Sequence, residues 1–339
     1  MTTTPRHAVL CPPGKSDPKD ALTIARLAKD GRWLESYIPD GVFADLRSLS
    51  SEAGDIDREI SAYKNRLLAV YGERFPELPG LFSDFFGGKA SGAIAKQGLL
   101  PERILELGAQ GVLAEIKKEA RRAVGIKMAT KIYKAAESSI GVKYGQQAAS
   151  KRIQRLWEGL SLLVRQAEAL EADIAACLEQ IPYAKSILEC KGIGVKTLGM
   201  ILGETGDLLR FSNYRQIVRL AGMCLVENSS GKSKSGTEMS KRGRSRLRGV
   251  LYQSAWALVG NSPEIYEYYL SLKARKQNPL CHMQAMGAVM RKLLEIMHTI
   301  ARKGEAYDPQ KAFGQARQEI ISQTDIEGYL KANKKAKAA

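Results

Sequence analysis

From Ile153 onward the apolar residues fall at Ile153, Leu156, Leu160, Leu163, Ala167, Leu170, Ile174, Cys177 and Ile181, in alternating steps of three and four. An α-helix returns side chains to one stripe at that period, so residues 153 to 181 are expected to form a single long helix. Charged residues (Lys151, Arg152, Arg155, Glu158, Arg165, Glu168, Glu171, Asp173, Glu179) fill the positions between, and Pro182 ends the segment. A heptad stripe of this length must be covered. Two coverings are open: a second copy of the chain in a dimeric coiled coil, or an intramolecular hairpin with a helix near residues 112 to 137. A second run with the same spacing, Met283, Met286, Met290, Leu293, Met297 and Ile300, reads as a core helix.

A chain of 339 residues, 44% apolar and 26% charged, is expected to fold into two or three cored domains rather than stay disordered. Its 52 Lys and Arg against 36 Asp and Glu leave a net charge of +16, which attracts polyanions, so nucleic acid is the expected partner. With no run of 18 apolar residues and polar residues after Met1, a cytoplasmic protein with no membrane part is expected. Cys11, Cys177, Cys190, Cys224 and Cys281 form no CxxC pair, and His7, His282 and His298 form no HExxH spacing. A zinc ribbon and a disulfide framework are therefore not suggested.

Near the N-terminus, residues 8 to 10 are a short apolar run stopped by two prolines, read as a strand whose pairing partners lie elsewhere. A helix over residues 18 to 30 follows, with Asp17 and Pro18 in cap and first-turn positions. Residues 87 to 145 are Gly- and Ala-rich and helical in tendency. Residues 182 to 211 read as an apolar helix, a Gly192-Ile193-Gly194 turn and a second helix. This helix-hairpin-helix pattern can offer backbone N–H groups to a phosphate, with Lys191 and Lys196 beside it. A short helix from Asn213, capped by Ser212, is expected to stop at Gly222. Beyond it a short strand-like run leads through the loop NSSGKSKSG into a helix starting near Ser240. Lys232, Lys234, Lys241, Arg242, Arg244, Arg246 and Arg248 crowd this stretch, with Glu238 opposing. As helical neighbours four apart, Arg242/Arg246 and Arg244/Arg248 would cost about 0.2–0.5 kcal/mol per pair, a cost that an anionic partner would offset. From Lys331 the tail KANKKAKAA is low-complexity and basic.

The string from KGIG through GDLLRFSNYRQIVRLAGM, ENSSGK and SKRGRSRLRGVLYQSA resembles the C-terminal domain of the DEDD transposases of insertion-sequence family 110, relatives of the pilin-gene invertases. GKSDPKDALTIARLA and the following YIPDGVFADLRSLS are similar to that family's N-terminal signature. The resemblance covers residues from about 10 to 50 and 185 to 303. It implies a mainly α chain: a partial RuvC-like (RNase H-like α/β) remnant over residues 1 to 85 and a helical, coiled-coil linker over 86 to 182. A C-terminal transposase domain with the helix-hairpin-helix would span 183 to 310, and a basic tail 311 to 339. It further implies DNA strand cleavage and rejoining through a serine nucleophile, Ser230 before Gly231, with Ser229 as the one-residue alternative. Mg²⁺ would be held by Asp17 and Asp20, the last two carboxylates of the DEDD set. A homo-dimer or tetramer and an element-encoded guide RNA complete the implication.

On the residues alone, Asp17 can serve as helix cap and Asp20 as dipole partner, needing no metal. The family's first Asp and its Glu have no counterpart in this sequence, and two carboxylates are too few to hold a two-metal site. The chain as given is therefore expected to bind DNA without forming a covalent adduct. The alternative function is that of a non-catalytic DNA-binding derivative that occupies DNA or inhibits intact transposase.

Overall fold

The computed structural model describes residues 17–31, 37–119, 125–190, 192–230 and 233–314. The chain divides after Pro39 into two compact units. In the first, helix α1 (Asp17–Lys29) agrees with the expected helix, and Arg26 and Lys29 in its last turn complement the negative end of its dipole. The strand expected before it lies outside the described residues.

Among its described residues the second unit is helical except for one hairpin. Its helices are α2 (Gly41–Arg74), α3 (Lys89–Gln97), α4 (Pro101–Glu119), α5 (Ile126–Glu137), α6 (Gln146–Glu179), α7 (Ala184–Leu188), α8 (Val195–Thr205) and α9 (Tyr214–Leu220). Strands β1 (Leu225–Ser230) and β2 (Ser233–Met239) follow, then α10 (Ser245–Asn261), α11 (Pro263–Lys273) and α12 (His282–Lys303). The mainly α expectation holds. No described helix is long and apolar enough to cross a membrane.

The heptad segment is α6, and its stripe is covered from within the chain. Leu163, Leu170 and Ile174 share a core with Leu46, Ala53 and Ile56 of α2, whereas Ile153 and Leu160 share another with Leu67, Val70 and Tyr71. The start of one helix thus meets the end of the other, so α2 and α6 run antiparallel. Each fully buried Leu or Ile in such a seam contributes about 1.5–3 kcal/mol. The stripe therefore has its partner without a second copy. That partner is α2 rather than a helix near residues 112 to 137, which is split between α4 and α5, and these two pair with each other.

Helix α8 packs on both α2 and α6, with Gly199 against Ile174 and Gly203 against the Leu46 carbonyl, and Leu198, Ile201 and Leu202 beside them are fully buried. Around this triple lie α10 and α12. The methionine-rich run is the core face of α12, with Met286, Met290, Leu293, Met297 and Ile300 buried, but Met283 in its first turn is 60% exposed. Three further local readings are corrected. Helix α9 is capped by Asn213, whose side-chain oxygen accepts from Arg215 N at 2.9 Å, rather than by Ser212. The NSSGKSKSG stretch contributes to an antiparallel hairpin, pairing Ser229 with Lys234 and Ser230 with Ser233, instead of being a free loop. The basic helix begins at Ser245 and not near Ser240.

Candidate nucleic-acid interface

The hairpin is fixed at its base by the segments on either side of it. Residues 240 to 244 run beside 220 to 224, with Ser240 N donating to Cys224 O (2.8 Å), Lys241 N to Gly222 O (2.9 Å) and Arg244 N to Leu220 O (2.8 Å). Two glycines face each other where the segments cross. A Cβ on Gly243 would lie 2.5 Å from Leu220 O and 2.7 Å from Gly222 Cα, and Gly222 itself has φ +70°. Arg291 of α12 donates to Met223 O at 2.6 Å, tying the base to the core. From that base β1 and β2 project for about 17 Å at roughly 3.4 Å per residue. Ser229 and Ser230 thus stand at the far end of an anchored two-stranded arm, next to Gly231 and Lys232, which lie outside the described residues.

This crossing also explains the late start of α10. Lys241 has φ +54° and cannot be helical, so Arg242 and Arg244 precede the helix and the expected like-charge pairs do not form. The arginines have acquired other partners. Arg244, the residue before α10, reaches the Glu204 carbonyl near the end of α8 and lies 3.5 Å from the Glu204 carboxylate. Arg248 donates to Ala221 O at 2.9 Å, just past the end of α9. Arg246 donates to Ser51 Oγ (2.9 Å) and Ser51 O (3.1 Å) in α2. The carbonyls of a last helical turn have no partner within their own helix, and a guanidinium satisfies them with charge as well as hydrogen bonds. Of the described basic residues in this stretch, Lys241 and Arg242 are exposed and make no ion pair, so they are free to meet a ligand. Replacing Arg244 or Arg248 with Ala is accordingly expected to cost about 1.5–3 kcal/mol each in denaturant unfolding. Replacing Lys241 or Arg242 should change stability by less than about 0.5 kcal/mol.

At the predicted helix-hairpin-helix, α7 and α8 flank a turn in which Gly192 has φ +109° and packs against Leu258. Gly194 immediately precedes α8 and is exposed, with open space where a Cβ would stand. Lys191 lies outside the described residues. Lys196 is turned toward α2, its Nζ 2.6 Å from Asp57 Oδ1. Between α2, α8 and the start of α10 lies an open cleft of about 420 Å³ lined by Arg47, Ser51, Glu204, Arg244, Ser245 and Arg246. Arg47, Ser51, Asp57 and Glu204 are absent from the sequence-based site. The partners of Ser51, Asp57 and Glu204 are 40 to 195 residues away in the chain, beyond any spacing rule.

Asp17 and Asp20 stand three apart at the start of α1, in the other unit, and Asp20 is exposed. Among the described residues no three His, Cys, Asp or Glu side chains gather into a metal-ligand set, so these aspartates alone do not fit a metal centre. The two central histidines are engaged otherwise. Buried His298 donates from Nε2 to Phe211 O (2.9 Å), and His282 Nδ1 shares a hydrogen bond with Tyr269 Oη (2.8 Å).

Comparison with known proteins supplies what this geometry does not. The transposase family IS116/IS110/IS902 matches residues 184–270, the stretch from α7 into α11 that holds the glycine turn, the hairpin and the basic start of α10. An insertion element IS110 protein of Streptomyces coelicolor is 24% identical over 302 residues, 88% of this chain and 74% of that protein. The pilin gene-inverting protein of Moraxella lacunata is 28% identical over 135 residues, 39% of this chain and 41% of that protein. Its counterpart in Moraxella bovis is 27% identical over the same length. Residues 184–270 thus match the IS116/IS110/IS902 transposase family, and most of the chain is similar to an insertion element IS110 protein.

Proposed function

We propose that this chain cuts and rejoins DNA at the ends of an insertion sequence, with the Ser230 hydroxyl as nucleophile. The observation that carries the reading is the anchored hairpin, which holds the serine pair at the end of a basic arm inside the family's domain. In the step itself the serine oxygen forms a bond to a backbone phosphorus, and a bridging P–O bond of the DNA breaks. The serine loses its proton, and the departing DNA oxygen gains one. One phosphodiester is exchanged for another, so rejoining needs no energy source. Lys241 and Arg242 are the described cations of this region available to offset phosphate charge, and the exposed turn at Gly194 offers backbone N–H groups to the DNA. Asp17 and Asp20 would contribute two carboxylates to a Mg²⁺ set that needs further ligands. An element-encoded guide RNA, a cytoplasmic location and assembly as a dimer or tetramer belong to the same reading.

A second reading, DNA binding without cleavage, is favoured by the absence of any three-residue metal-ligand set among the described residues. One experiment separates the two. Labelled DNA carrying the sequence that flanks the coding region is incubated with Mg²⁺ and either the chain as given or a version whose upstream segment supplies an Asp and a Glu. Denaturing electrophoresis then detects covalent adducts. The expected result is an adduct from the extended version that vanishes in Ser230→Ala and persists in Ser229→Ala. Loss in Ser229→Ala alone moves the nucleophile by one residue. DNA binding with no adduct from either version establishes the second reading.

A further inference from the structure

The connection between α5 and α6 displays apolar side chains that folding would ordinarily hide. Ile140 and Tyr144 are each 87% exposed, and Val142 is 44% exposed. Its backbone is nevertheless pinned to the end of α2. The Glu77 carboxylate accepts from Ser139 Oγ (2.8 Å) and Ile140 N (3.0 Å), and Val142 N donates to Glu73 O (3.0 Å). Arg74 donates to the Tyr144 carbonyl, and Gly141 lies so close to the Arg74 carbonyl that no side chain would fit there. Burial pushes the Glu77 carboxyl upward, but the hydrogen bonds from Ile140 and Ser139 outweigh it and hold the group below the usual carboxylate range. The acceptor is therefore ionised at neutral pH. Five constraints hold an apolar tip out in water, and a tip that merely connected two helices would need none of them.

The surroundings identify what the tip meets. On α5, Lys127, Lys131 and Lys134 are exposed on the face opposite buried Ala129, Ile132 and Ala136. Lys143 is exposed within the connection, and Lys151 and Arg152 are exposed near the start of α6. Residues 125 to 155 hold seven Lys and Arg against one acidic residue, Glu137. Among the described residues none of Lys127, Lys131, Lys134 and Lys143 makes an ion pair. A protein–protein patch is ordinarily depleted of lysine. Lysines around an exposed aromatic and an exposed aliphatic side chain match a strand whose phosphates are charged and whose bases have free faces.

We infer that the α5–α6 tip is a second nucleic-acid surface that takes an unpaired strand. Phosphates lie against Lys131, Lys134 and Lys143, and bases stack on Tyr144 and Ile140. A duplex keeps its base faces stacked inside and gains only the lysine contacts. The surface stands apart from the hairpin, because Glu73 and the Ser51 contact of Arg246 are separated by roughly 30 Å along α2 at about 1.5 Å per residue. It holds whether or not Ser230 attacks DNA.

The test is fluorescence anisotropy of labelled oligo(dT), oligo(U) and a mixed-sequence duplex with the full chain, compared at one salt concentration and then across a salt series. The double variant Ile140→Ser/Tyr144→Ser is expected to bind single strands about tenfold or more weakly, with less than about a twofold change for duplex and an unchanged melting temperature. Lys131→Glu/Lys134→Glu should weaken single-strand binding and flatten its salt dependence. Lys241→Ala/Arg242→Ala should spare the single-strand preference. The two single-strand arms decide between DNA and RNA. Equal loss for duplex and single strands, or no loss, overturns the inference. So does a fall in sedimenting mass in the Ile140/Tyr144 variant, which would make a second copy of the chain the occupant.

Discussion

Replacing Gly243 with valine is expected to lower stability by about 3 kcal/mol and, in the upstream-extended version, to abolish the proposed covalent capture of DNA, while leaving the helical content nearly intact. Even the first carbon of a side chain would press on Leu220 O and on Gly222, both backbone atoms that no rotamer change can move aside. The only relief is separation of residues 240 to 244 from 220 to 224, which breaks the three backbone hydrogen bonds at the base of the hairpin. The two contributions, overpacking and lost hydrogen bonds, are each on the order of 1–3 kcal/mol. Because the α2–α6 pair does not depend on that crossing and α10 reaches it through the Arg248 side chain, the damage stays local. Circular dichroism should show the helices retained, and denaturant unfolding the reduced midpoint. A Gly243→Val chain with wild-type stability would mean that the crossing opens without cost and that the arm is not anchored there.

Replacing Ile174 with aspartate is expected to be more severe still, with a loss of about 3–5 kcal/mol, enough to remove much of a typical domain's stability. Ile174 is fully buried in the core that α6 shares with α2 and α8, so a carboxylate there has neither water nor a cation. The measurement also discriminates between the two ways of covering the heptad stripe. Because α2 covers it within one chain, the fall in melting temperature should be the same at every protein concentration, and sedimentation of the folded variant should match that of the parent. A loss that grows on dilution would instead place the stripe between two chains.

Much of the architecture was legible in the sequence where a period repeats. The three-four spacing of α6 and the methionine run of α12 survive as buried faces because helical geometry alone determines which side chains share a side. The partner of α6 was not legible, since a heptad stripe states that it must be covered and carries no mark of by what. Around the candidate site, reading by spacing failed for a different reason. Lys241 and Arg242 looked like part of a helix because the residues after them are helical. The positive φ at Lys241 is imposed by Gly222, 19 positions earlier, through a backbone hydrogen bond. The partners of Arg244 and Arg248 include carbonyls at helix ends, which a count of acidic residues does not register. The serine stretch looked like a loop because its side chains are polar, yet two strands can pair through backbone groups whatever their side chains. The resemblance pointed to the hairpin, and the structure supplied the hairpin's anchoring.

The reach of α2 bears on how the molecule comes into being. Its contacts include Lys196 with Asp57, 139 residues apart, and Arg246 with Ser51, 195 apart. During synthesis at about 5–20 residues per second, α2 leaves the ribosome roughly 10 to 40 s before the arginine that clasps it has been made. Until α6, about 100 residues later, has been made, the apolar stripe of a 34-residue helix waits uncovered, and loops of this length close slowly. Cold-shifted expression or a bound holdase should therefore raise the soluble yield. A fragment limited to residues 184–270, lacking α2, α6 and α12, should aggregate when made alone.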